Sequence, residues 1–226
     1  MKIDADFAGG NVKIVKVTDN DAWLEPDLSD TSDEWFYFNF RVRGAAGKTV
    51  IFRMGGVPYG YVSPFGPAVS SDGVHYAFCP EKTKIDAFSF RYGFGADEDE
   101  KYFAFSLPYT AERFYEFAAK NGFEPIEFAR SEQGRVVPAL RFGAGEETVL
   151  FTCRHHCCES VASYVLEGSV DGNTRLADFG KIQVFGRADG GYRRRRKRRS
   201  GQKPYSARSQ SRLSGGNVAL RVRARY

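Results

Sequence analysis

The sequence contains no run of 18 apolar residues, and its opening, Met1-Lys-Ile-Asp-Ala-Asp6, lacks the apolar core of a secretory leader. Neither membrane insertion nor export is expected, and the cytoplasm is the expected compartment. Cysteine is scarce, with four residues of which three are crowded between Cys153 and Cys158. Cys157 and Cys158 are neighbours and poorly placed to pair with each other, so the pattern is not a disulfide framework and the thiols are read as reduced. Acidic residues are scarce in one region only. Ser169 to Tyr226 holds 16 Lys+Arg against 3 Asp+Glu, net +13, whereas Met1 to Gly168 holds 17 against 25, net −8. The formal charge of +5 therefore hides an acidic body with a very basic tail. The tail, with Arg193-Arg-Arg-Arg-Lys-Arg-Arg199 at its centre, has the composition of a disordered basic segment. It could bind nucleic acid or act as an import signal. Without interleaved aromatics or a reading module, any affinity for nucleic acid would be non-specific.

What is present is ample core material, 42% hydrophobic and 15% aromatic over 226 residues, enough for one large domain or two small ones. Residues 1–107 read as short strands divided by turns. Asn11 to Val17 alternates, with Val12 and Ile14 on one face. Trp35 to Arg43 alternates so that Phe36, Phe38, Phe40 and Val42 share one face and Tyr37, Asn39, Arg41 and Arg43 the other. Thr49–Arg53, Val57–Val62, Val74–Phe78, Ala87–Tyr92 and Tyr102–Ser106 continue at the spacing of an antiparallel β-sandwich.

The period then changes. Ala111 to Lys120 places Phe114, Phe117 and Ala118 on one face, with Thr110 as N-cap and Asn121-Gly122 as the stop, which predicts a helix. Gly134–Phe142 and Thr148–Phe151 read as strands around a Gly143–Glu147 turn. A second helix opens at Ser160, with Val161, Tyr164 and Val165 expected to pack on the sheet. The fold class is mixed α and β: a β-sandwich over 1–107, the first part of an α/β domain over 108–168, and a basic tail over 169–226.

The strand-to-helix corner Phe151-Thr-Cys-Arg-His-His-Cys-Cys-Glu-Ser160 sets His156 and Glu159 three residues apart. Zinc takes imidazole nitrogen and carboxylate oxygen, and a catalytic site holds the ion with three protein ligands and an open water position, so two candidate ligands are visible here. An isolated His-x-x-Glu is also common by chance. Other candidates are weaker. Gly47-Lys48-Thr49 ends like a phosphate-binding loop, but the first glycine of that motif would fall on Val42, and a strand-connecting turn is the better reading. His75 reads as a packed or surface histidine. Cys153, Cys157 and Cys158 with His155 could form a thiol nucleophile set, for which no Asn or Asp partner is assignable.

Phe105-Ser-Leu-Pro-Tyr-Thr110, Val136-Val-Pro-Ala-Leu-Arg141 and above all Val149 to Gly168 resemble the zinc metallocarboxypeptidases, in their cytosolic carboxypeptidase-like branch. The Asp6–Asn11 segment and the Trp35–Phe38 stretch fit the β-sandwich that this family places ahead of its catalytic domain. The resemblance implies that His156 and Glu159 are zinc ligands and that the substrate is a peptide or protein C-terminus. Cys157-Cys158 stand where the family often has Pro-Gly. The family's third ligand, a distant His, its carboxylate-gripping Asn-Arg pair and its late catalytic Glu have no counterpart after Gly168. Read one base over, the codons that Arg198 to Leu213 permit admit a run resembling the family's next motif, and those of Phe185 to Arg195 admit a strand and an Asp-x-Asp-Gly-Val turn. The expectation is therefore a truncated carboxypeptidase whose residues 169–226 are out of frame. The alternative is a non-catalytic β-sandwich protein with a nucleic-acid-binding tail.

Overall fold

The computed structural model describes residues 1–28, 34–78, 83–131, 134–142, 150–154, 156, 158–175 and 183–184. Two sheets face each other in the N-terminal part. One contains β1 (Lys2–Asp4), β4 (Asn39–Arg43), β6 (Ala68–Ser70), β7 (Ala77–Phe78) and β9 (Glu100–Ala104), in the order β1-β4-β9-β6-β7. The other contains β2 (Lys13–Val17), β3 (Asp21–Glu25), β5 (Thr49–Met54) and β8 (Ser89–Gly93), in the order β2-β3-β5-β8. The expected sandwich is present with one departure from antiparallel pairing. β3 and β5 run parallel, from Asp21 opposite Ile51 to Leu24 opposite Met54. Parallel neighbours need a crossover, and here the chain supplies it by passing through β4 in the opposite sheet.

Alternation places the core as expected along β4. Phe40 and Val42 are buried between the sheets with Phe38 just ahead of them, and Phe40, Phe52, Phe90 and Phe103 meet with ring centroids 4.9 to 5.7 Å apart. Arg41 and Arg43 point the other way and converge on Asp4 of β1, at 2.8 and 2.6 Å. Burial alone would raise the Asp4 carboxyl, but the hydrogen bonds from Arg41 and Arg43 outweigh it and hold the group below the usual carboxylate range.

Three strand expectations are corrected. Residues 57–62 form bends and irregular chain, because Pro58 and the glycines at 55, 56 and 60 interrupt any ladder. At Gly60 even a Cβ would stand 2.2 Å from the Cβ of Ala87. Residues 34–38 approach β4 as irregular chain, and 74–76 lie in bends before the two-residue β7. Ile14 is exposed rather than inward, since β2 is an edge strand with a bulge between Ile14 and Lys16.

Beyond the sandwich, α1 spans Ala111–Lys120, the range expected, with the Thr110 hydroxyl accepting from Arg113 N at 3.3 Å. β10 (Ile126–Arg130) and β11 (Val136–Ala139) form an antiparallel pair. β12 (Leu150–Phe151), α2 (Ser160–Arg175) and β13 (Gln183–Val184) form a strand-helix-strand unit in which the two strands are parallel. The helix opens at Ser160 as expected but buries a different face: Ser160, Ser163, Glu167 and Val170 are covered, while Val161 and Val165 are 43% and 64% exposed. α2 also continues through Gly168, so regular structure crosses the boundary expected there. The Gly143–Glu147 turn and the 193–199 basic run lie outside the described residues.

Candidate metal centre at the corner between β12 and α2

The corner is built by Arg154. Its backbone has φ +55°, unusual for a residue with a side chain, and such a conformation persists only where its surroundings hold it. Here the side chain is buried and its Nη1 donates to the Tyr109 carbonyl, at the entrance to α1. The same entrance holds α2. Tyr164 Oη donates to the Pro108 carbonyl at 2.7 Å, and Glu167 receives Arg113 Nε at 3.0 Å and Nη2 at 2.7 Å. Burial pushes the Tyr109 and Tyr164 hydroxyls up, so both stay protonated. These ties explain why α2 turns Ser163, Tyr164 and Glu167 toward α1 instead of Val161 and Val165.

The reversed chain brings His156 back over the start of α2. Its Nδ1 lies 2.7 Å from Glu159 Oε1, and its backbone N donates to Glu159 Oε2 at 3.1 Å. Glu159 N donates in turn to the His156 carbonyl at 3.1 Å, closing the loop. Both side chains remain accessible, 49% and 42% exposed. An imidazole nitrogen and a carboxylate oxygen, two ordinary zinc donors, thus meet at one accessible point; as donor types they fit a divalent ion, which would replace the hydrogen bond now joining them. Among the described residues no group of three or more His, Cys, Asp and Glu is placed to hold a metal. A residue that spacing did not reveal also reaches the corner: the Trp35 ring lies 4.8 Å from the His156 ring. No short-range pattern carries that signal, because the contact joins the approach to β4 with a loop far downstream.

The remaining candidates separate from this point. Cys153 is buried with its Sγ 3.7 Å from Ser163 Oγ, Cys158 is half-buried, and Cys157 and His155 lie outside the described residues. His75 is a surface residue whose Nδ1 lies 2.7 Å from Asp72 Oδ2. Gly44 to Lys48 is the turn between β4 and β5, with Lys48 N donating to the Ala45 carbonyl. No helix among the described residues is long and apolar enough to cross a membrane.

Residues 3–106 match the family model of the cytosolic carboxypeptidase N-terminal domain. The chain is 28% identical over 202 residues to human cytosolic carboxypeptidase 6, covering 74% of this chain and 40% of that protein. Its residues 3–106 thus carry the N-terminal domain of the cytosolic carboxypeptidases. The chain is also similar to the uncharacterised protein ZMO1242 of Zymomonas mobilis, 27% identical over 186 residues, covering 79% of this chain and 48% of the other. It therefore spans less than half the length of the curated relatives it matches. The metallo-carboxypeptidase of Burkholderia cenocepacia shares the fold, with a TM-score of 0.68 at 20% identity over 83% of this chain and 55% of that one. The family match ends at residue 106, between β9 and α1.

Proposed function

We propose that His156 and Glu159 are two ligands of a catalytic zinc ion in a carboxypeptidase that releases C-terminal residues from peptides or protein tails, acting in the cytoplasm. The observation that carries this reading is the 2.7 Å approach of His156 Nδ1 to Glu159 Oε1 at a strand-to-helix corner of a chain that carries the cytosolic carboxypeptidase N-terminal domain. Bound zinc would polarise the scissile carbonyl and lower the pKa of a coordinated water toward about 7. The chain's own contribution is to hold the donors. Arg154 fixes the turn through Tyr109, and the Glu159 carboxylate grips the His156 backbone as well as facing its ring.

In this chain the reading stops short of catalysis. The third ligand, the groups that would grip a substrate carboxylate and the general base expected of the family have no counterpart after Gly168 in the sequence as given. The chain is read as incomplete and inactive, with residues 169–226 an out-of-frame continuation. Codons between Ser200 and Leu213 that cannot yield the family motif one base over would sink the frame reading. For the metal, equilibrium dialysis should show weak zinc binding that is lost in His156→Ala and reduced at least tenfold in Glu159→Gln, and peptides should lose no C-terminal residue. Tightly held stoichiometric zinc, or release of a C-terminal amino acid by the purified chain, overturns the inactive reading.

The net +13 of residues 169–226 favours a second reading, a β-sandwich protein that contacts nucleic acid through phosphates. A DNA mobility shift that weakens with salt and vanishes on deleting 193–199 supports it. A shift that survives the deletion, or none at low salt, excludes it.

A further inference from the structure

A side chain of the β-sandwich, Trp35, reaches the corner at His156. Trp35 stands in the irregular approach to β4, with its ring centroid 4.8 Å from that of His156 and the planes inclined by 37°. The indole also lies 6.2 Å from Phe36, which meets Phe105 at 5.0 Å and Tyr59 at 6.0 Å. Phe105 in turn lies 6.2 Å from the buried core residue Phe38. A continuous series of rings therefore runs from the sandwich core to the imidazole. The Trp35 Nε1 atom is buried and has no hydrogen-bond partner among the described residues. Its place is set by ring packing and not by a polar anchor, and leaving an indole N–H so is a cost that the packing must outweigh.

His156 then has two constraints, the indole against its ring and Glu159 at its Nδ1. The carboxylate restrains the imidazole at one edge, on a corner where the side chain is 49% exposed. The indole adds a contact against the ring itself. Its π face also favours a ring that gains positive charge when its nitrogen donates to a metal. We propose that Trp35 is a positioning residue for the metal ligand His156, so that the N-terminal β-sandwich completes the metal corner of the domain that follows it. This rests on the reading of His156 and Glu159 as ligands.

The test uses the full chain with Trp35→Phe and Trp35→Leu, zinc as the probe, and His156→Ala as the reference for loss of the ligand. In wild type the carbon-bound imidazole protons of His156 should carry an upfield ring-current shift, partly kept in Trp35→Phe and lost in Trp35→Leu. Zinc affinity should fall about 10- to 100-fold in Trp35→Leu and less in Trp35→Phe, the range typical of residues that orient a ligand from behind. If Trp35→Leu does not fold, as judged by near-ultraviolet circular dichroism, Trp35→Phe and the wild-type shift decide. Unshifted His156 protons, or zinc affinity unchanged in a folded Trp35 variant, overturn the positioning role. Wild type that binds no zinc overturns the ligand reading itself, and the two failures are told apart by whether the unsubstituted chain binds.

Discussion

At the residue scale, Asp4 shows how much one buried carboxylate can carry. It holds Arg41 and Arg43 together on the outer face of β4, and its pKa is depressed because their hydrogen bonds outweigh burial. A depressed folded-state pKa means that the ionised form stabilises the fold above the unfolded value, near 3.9. That contribution is lost as pH falls through the lower folded value. Asp4→Asn should lower stability by about 2 kcal/mol at neutral pH, with the difference from wild type shrinking as the pH falls through the folded-state value, as read from urea midpoints across pH. Alternation along 36–43 made the inward phenylalanines and outward arginines legible. Asp4 was not, because a three-residue strand has too little pattern to announce itself. Trp35 was hidden for a related reason: it read as the first residue of the Trp35–Arg43 strand, and only the folded chain brings it to His156.

The two helices of the described residues divide by what signals them. α1 was readable to the residue because its signals are local, a Thr110 cap at one end and Asn121-Gly122 at the other. Thr110→Ala should cost about 1 kcal/mol in thermal or urea unfolding, with Thr110→Ser close to wild type. α2 was readable at its start but not in its orientation. Hydrophobicity favours Val161 and Val165 as the inward face, yet the helix is turned by Glu167 reaching Arg113 and Tyr164 reaching Pro108. Ion pairs between distant segments leave no period in a sequence. Glu167→Ala should leave Arg113 without its carboxylate and loosen α2 more than the sandwich. Amide exchange should rise along 160–170 while β4 and β9 stay protected. Equal loss of protection in both regions would contradict this.

At the scale of the whole molecule the two parts are unequal. The sandwich holds nearly all the fully buried aromatic side chains, whereas the core between α1 and α2 gathers Tyr109, Phe114, Ala118 and Leu140 with a few partly covered neighbours. The corner of His156 and Glu159 sits where the smaller core meets a ring series anchored in the larger one. The β-rich beginning and the resemblance were legible because the sandwich repeats one pattern and the segment Val149 to Gly168 is contiguous. The parallel β3 and β5 pair was not, since strand direction depends on where the chain goes between strands.

The strand order also fixes when the sandwich can exist. β9 pairs with both β4 and β6, and without it the five-stranded sheet is two separate pieces, β1 with β4 and β6 with β7. Yet β9 is the last strand of the sandwich in the chain. On the ribosome, the five-stranded sheet must therefore wait in two pieces until Glu100 to Ala104 emerges to join them. A fragment ending at residue 99 should give no cooperative urea transition, whereas one ending at 107 should.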